Sequence, residues 1–128
     1  MVNLTIGGGN FRGLAFLGAL EYLHLNNLLT NIDEFYGCSI GSIIGILYLI
    51  GYTPKELLNI MIDVNFSNFW DFNLNNLDVN YSLLGYSFIN FIIEVFQKKE
   101  NINITFIEFY NKYSIDINIL CVSMTKHE

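Results

Sequence analysis

Residues Gly37-Cys38-Ser39-Ile40-Gly41 carry the spacing G-x-S-x-G. In that pattern a serine on a sharp strand-to-helix turn lifts its hydroxyl clear of the sheet, where it can attack an acyl carbonyl. The flanking Gly37 and Gly41 let strand and helix approach closely while the serine between them takes a strained backbone. The same five residues have a purely structural reading, a glycine-rich turn with Ser39 as helix N-cap. Context favours the nucleophile, because Glu34-Phe35-Tyr36 reads as a strand before the turn and the apolar residues through Leu49 as a helix after it.

A second glycine cluster, Gly7-Gly8-Gly9-Asn10-Phe11-Arg12-Gly13, follows the short β-branched run Val2 to Ile6 and leads into a helix. A glycine loop at a helix N-terminus points several N–H groups, and the positive end of the helix dipole, at one place. The anion expected there in acyl transfer is the oxyanion of a tetrahedral intermediate, and a preorganised donor is worth roughly 3–4 kcal/mol of barrier. Gly8, Gly9, Asn10, Phe11 and Arg12 are the candidate oxyanion residues, with Arg12 either adding charge or tying the loop down. A dinucleotide fingerprint fails in both frames: begun at Gly7 it puts Arg12 on the third glycine, and begun at Gly8 it puts Asn10 on the second. No Gly-Lys-Ser/Thr follows, so the loop is not a phosphate loop of the nucleotide-hydrolase kind.

These turns need elements to hold them. Leu14 to Leu25 reads as a helix with Phe16, Ala19, Leu20 and Leu23 on one stripe, widened by Leu14 and Leu17. Thr53-Pro54-Lys55-Glu56 is a helix start with a capping box, opening a helix to about Val64. Asn65 to Asn80 reads as a long ordered loop, Leu83 to Phe96 and Phe106 to Tyr113 as helices, and Asp116 to Met124 as a buried strand. Strand, glycine turn, helix occurs twice, which points to an α/β fold.

At 128 residues the chain is a single domain, with 52% hydrophobic, 16% aromatic and 14% charged residues. That composition excludes a disordered chain. A net charge of −6 with one arginine argues against a nucleic-acid partner. The N-terminus lacks a secretory signal pattern, and Ile40 to Ile50 is too short and too broken by Gly41, Ser42 and Gly45 to span a bilayer, which needs about 20 residues. Cys38 and Cys121 lack metal or redox spacing, so no metal or organic cofactor is expected, and reduced thiols fit a cytoplasmic setting. Cys38 is expected to pack under the elbow.

A glycine loop near the N-terminus followed about 30 residues later by an elbow serine resembles the patatin-like phospholipase family. That family opens with a strand, a G-G-G-x-R-G oxyanion loop and a helix, then a second strand and G-x-S-x-G. Gly8-Gly9-Asn10-Phe11-Arg12-Gly13 matches the loop except that Asn10 stands where the third glycine belongs. Asparagine is the non-glycine residue that best tolerates left-handed backbone. Leu14-Ala15-Phe16-Leu17-Gly18-Ala19-Leu20 is similar to the family's first helix, and Gly51-Tyr52-Thr53-Pro54-Lys55-Glu56-Leu57 to the step after its elbow helix. The resemblance is good from Leu4 to Phe69 and looser beyond. It implies a three-layer α/β fold with a mostly parallel sheet between helices, the chain supplying the N-terminal part of such a domain. It also implies a lipid acyl hydrolase with a Ser-Asp dyad, a lipid or acyl-ester substrate, and transient contact with a membrane surface.

One part of the family's pattern is missing. The dyad aspartate belongs to a D-G-[GA] motif, whereas the five aspartates here, Asp33, Asp63, Asp71, Asp78 and Asp116, precede Glu, Val, Phe, Val and Ile. The carboxylate lies beyond Glu128 or has been lost, and a serine without a base is a poor nucleophile at neutral pH. The alternative is therefore a truncated or degenerate remnant that binds lipid or anionic groups, or associates with other proteins or itself through uncovered apolar surface. A Ser-His-Asp triad of Ser39, Asp116 and His127 is formally available, but only 36 residues precede Gly37 and His127 is one residue from the end. His24 belongs on the solvated side of the first helix. The aromatics read chiefly as core, Leu83 to Phe96 as the best interfacial face, and Lys98-Lys99-Glu100 as a solvated helix end.

Overall fold

A computed structural model describes residues 1–69 and 86–122. The order of elements is β1 (Val2–Ile6), a 3-10 turn (Asn10–Leu14), α1 (Ala15–Leu25), β2 (Ile32–Cys38), α2 (Ile40–Leu49) and α3 (Pro54–Ile62). A second 3-10 turn (Phe66–Phe69), α4 (Tyr86–Gln97), α5 (Phe106–Tyr113) and β3 (Asp116–Leu120) complete it. The strands form one parallel sheet in the order β1-β2-β3. Sequence order and spatial order coincide, so right-handed crossovers bring the connecting helices to the same face. That face is dry: Leu4, Ile6 and Phe35 are buried under α2, while Asn3, Thr5 and Tyr36 on the other face are exposed. The fold is α/β and parallel as expected, and the described residues supply two layers of the three.

Local sequence accounts for several boundaries. Thr53 Oγ1 accepts from Glu56 N–H at 3.2 Å and Glu56 Oε2 accepts from Thr53 N–H at 2.7 Å, the reciprocal pair foreseen for α3. Thr105 and Glu108 repeat the arrangement at the start of α5. The long-loop segment becomes a 3-10 turn at Phe66–Phe69, and its residues 70–80 lie outside the described region, as do 83–85 of the helix expected from Leu83.

Other expectations need correction. In α1 the buried positions are Leu17 and Leu20, Phe16 and Leu23 are half-buried, and Ala19 is exposed. The helix packs against α3 and the preceding 3-10 turn, and the expected stripe is buried at Leu17 and Leu20, which join the core with Leu4, Ile6 and Phe35, but not at Ala19. Strand β3 is less buried than expected, and residues 123 and 124 of the expected strand lie outside the described region. It ends at Leu120, with Ile117 to Ile119 half-buried and Leu120 exposed, because among the described residues it pairs with β2 alone.

Nor is Lys98-Lys99-Glu100 a merely solvated end. Lys99 Nζ donates to Gly51 O at 2.6 Å and sits 4.2 Å above the Tyr52 ring, while Tyr52 Oη donates to Val95 O at 2.7 Å. The Glu100 side chain is only 6% exposed and accepts from Lys112 Nζ at 2.7 Å and from Tyr113 Oη. Together these contacts fasten the end of α4 to the α2–α3 junction and to α5.

Candidate active site

Ser39 stands between β2 and α2 with φ 52° and ψ −129°. A non-glycine residue in that region stores strain on the order of 1–3 kcal/mol. The flanking residues explain how the chain reaches the geometry. A Cβ on Gly41 would strike the carbonyl oxygens of Ile6 and Gly7, and one on Gly37 would sit 2.7 Å from Ser42 Cα. Both positions are close crossings of backbone on backbone that any larger residue would force apart. Ser39 occupies the N-cap position, yet its side chain makes no capping hydrogen bond and the residue is exposed. The dipole of α2 nevertheless ends here, its positive end directed at the turn.

The glycine loop lies against this turn. A Cβ on Gly8 would come within 3.5 Å of Ser39 Cβ and 3.7 Å of Cys38 Sγ. Parallel pairing of Ile6 with Gly37 carries both turns to the carboxyl ends of neighbouring strands, where open α/β sheets bind their ligands. Asn10 adopts φ 52°, the left-handed backbone for which asparagine is suited. Of the candidate donors, Phe11 N–H is engaged by Asn10 Oδ1 at 2.9 Å. Arg12 is exposed and forms no ion pair among the described residues. Ile40 is buried as the first residue of α2, and Cys38 is half-buried with a free thiol.

No carboxylate or imidazole is hydrogen-bonded to Ser39 among the described residues. Asp33 accepts from Val2 N–H at 2.6 Å, at the amino end of the sheet. Asp63 is the exposed C-cap of α3, and Asp71 and Asp78 lie outside the described residues. Asp116 pairs with Glu34, whereas Cys38 pairs with Leu120. At about 3.3 Å per residue, Asp116 is therefore roughly 13 Å down the strand from the elbow, too far to orient a base there. His24 is exposed on α1 with Nδ1 3.2 Å from Tyr48 Oη, and His127 lies outside the described residues. Among these residues no cluster of His, Cys, Asp and Glu could hold a metal.

A cleft of about 630 Å³ opens beside the elbow, lined by Ile6, Gly7, Gly37, Cys38, Phe106 and Leu120 among others. The motif spacings single out its β1 and β2 residues but give no sign of Phe106 or β3, which reach it only through the fold. Tyr36, also on its wall, donates to Glu34 Oε2 at 3.0 Å. That hydrogen bond and the carboxylate's charge raise the phenol above its ordinary value.

Fold and site together define a parallel α/β protein with a serine at a strand-to-helix elbow beside a glycine loop. The family model for patatin-like phospholipase matches residues 4–113, and the chain belongs to that family. A probable lipid hydrolase of Invertebrate iridescent virus 6 is 39% identical over 74 residues, covering 58% of this chain and 24% of that protein. Two uncharacterized proteins of Acanthamoeba polyphaga mimivirus are also similar. One is 39% identical over 64 residues, 49% of this chain and 22% of the relative. The other is 33% identical over 69 residues, 52% and 18% respectively. The chain thus spans about a quarter or less of the length of these curated relatives. No solved structure matches it. No helix among the described residues is long and apolar enough to cross a membrane.

Proposed function

We propose that the chain acts on acyl esters of lipids, with Ser39 as nucleophile. Ser39 Oγ attacks the ester carbonyl, the carbonyl oxygen takes the negative charge, and the N–H groups of Gly8, Gly9 and Asn10 receive it. Arg12 adds positive charge at the loop. Collapse of the intermediate expels the alcohol and leaves an acyl-serine that water hydrolyses. The observation that carries this reading is the Ser39 backbone, φ 52° with an exposed and uncapped hydroxyl. A serine serving only as a helix cap needs neither the strain nor the free hydroxyl. Membership of a phospholipase family and similarity to a probable lipid hydrolase support the substrate class.

The proton on Ser39 needs an acceptor, and no carboxylate or imidazole among the described residues is hydrogen-bonded to Ser39, which frames a second reading. In that reading the chain is a non-catalytic member that binds acyl or anionic groups at the glycine loop. A fluorophosphonate probe separates the two. Covalent labelling that disappears in Ser39→Ala supports the hydrolase. An unlabelled chain whose lipid binding is the same in Ser39→Ala sinks it in favour of the binding module.

A further inference from the structure

We infer that Cys38 and Cys121 form a reversible disulfide that ties the end of β2 to the end of β3 and closes the cleft beside the elbow. They are the two cysteines of the chain, and both thiols are free, Cys38 half-buried and Cys121 exposed. Both line the cleft that borders Gly7 and Gly37. Parallel pairing sets Cys38 opposite Leu120, so Cys121 stands one residue beyond its partner on the neighbouring strand. With strands about 4.8 Å apart and about 3.3 Å per residue, the two Cα atoms lie roughly 6 Å apart, within the ~4.4–6.8 Å that a disulfide spans. A strand continued past Leu120 would turn residue 121 to the face opposite Cys38. β3 ends at Leu120, which releases Cys121 from that alternation. The Cys38 thiol lies near the glycine loop, its Sγ 3.7 Å from the place of a Gly8 Cβ, and rotation of χ1 from one staggered position to another turns it toward β3.

The oxidant is a small disulfide, represented by oxidised glutathione. The thiolate of the exposed Cys121 attacks one of its sulfurs, breaking the glutathione S–S bond and releasing one glutathione thiolate. The Cys38 thiolate then attacks the Cys121 sulfur of the mixed disulfide, forming the Cys38–Cys121 bond and releasing the second. The protons of the protein thiols pass to the leaving thiolates, so the chain loses an electron pair and the glutathione disulfide gains it. An exposed bridge between strand ends is of the labile kind that thiol reductants reopen. Cys38 is adjacent in sequence to Ser39, so the bridge shifts the elbow as well as filling the cleft. The bond itself is independent of the acyl-ester reading, while its effect on Ser39 chemistry rests on that reading.

The test is exposure of the full chain to oxidised glutathione, followed by alkylation, proteolysis and mass spectrometry. A peptide pair linked through Cys38 and Cys121 is expected in the monomer fraction, and dithiothreitol should reverse it. Closing so long a loop should also raise the melting temperature by several degrees. Cys121→Ser, which removes an exposed thiol, should keep the parental circular dichroism and show neither the linked pair nor the shift. Glutathione adducts on the cysteines without a linked pair, or a link found only between copies, overturns the proposal. Fluorophosphonate labelling reads the consequence: the oxidised parent should label about tenfold more slowly or worse and recover on reduction. Undiminished labelling of a chain that carries the linked pair overturns the closure of the cleft. A chain labelled at Ser39 that forms no linked pair loses the disulfide alone. A chain that forms the linked pair but is labelled in neither state loses the hydrolase alone.

Discussion

Ser39 holds a conformation that its own side chain does nothing to stabilise. Because the hydroxyl makes no capping bond, Ser39→Ala should leave stability within about 0.5 kcal/mol of the parent, even where it ends labelling. Ser39→Gly is expected to differ, since glycine enters φ 52° without the Cβ penalty. Urea denaturation should show it about 1 kcal/mol more stable than the parent and equally unreactive. A loss of stability in Ser39→Gly would mean that the backbone is not strained. Ser42 presents the opposite case: its Oγ is buried and makes no hydrogen bond among the described residues. Ser42→Ala removes a buried polar atom without breaking a bond and should be neutral or up to about 1 kcal/mol stabilising by the same measurement.

Among the elements, the crossing of α2 over the end of β1 is the tightest joint at the site. Gly41→Ala would drive a methyl group into the Ile6 and Gly7 carbonyls. The expected cost is about 2–3 kcal/mol in chemical denaturation, together with loss of labelling as the glycine loop is pushed from Ser39. Thr53→Ala dismantles the α3 capping box and should cost about 1 kcal/mol without touching the elbow. The capping box was legible because its four residues decide it between themselves. The elbow was legible for the same reason, its spacing being set by one turn of backbone. The stripe of α1 was legible in part: Leu17 and Leu20 lie on it and are buried, whereas Ala19 on the same stripe is exposed, because the neighbours that α1 packs against, α3 among them, decide which part of the stripe is covered.

Across the whole molecule, the Glu100 cluster fastens α4 to α5 from a nearly buried position. The Lys112 and Tyr113 hydrogen bonds lower the carboxyl from its ordinary 4.5 to about 2. A folded value below the unfolded one means that ionised Glu100 stabilises the fold fully above about pH 4.5. This contribution fades as the pH falls through 4.5 toward 2. Thermal melts across that window should show an acid-dependent loss that Glu100→Gln reduces, while the melts above pH 5 show Glu100→Gln below the parent. Three residues in sequence, Lys98-Lys99-Glu100, gave no hint of this arrangement, because Lys112, Tyr113, Tyr52 and Gly51 reach them from other elements.

The sequence by itself determined the two glycine turns, the strand-turn-helix repeats, the helix caps and the lack of an Asp-Gly pair. Each of these depends on neighbours within a few residues, where backbone sterics and local hydrogen bonds rule. Only the tertiary structure decided that Gly8 rests against Ser39, 31 positions away, that Asp116 stands at the wrong end of β3, and that Phe106 and Leu120 reach the cleft beside the elbow. Those facts follow from parallel pairing and one-sided crossovers, which bring together residues that no local preference relates.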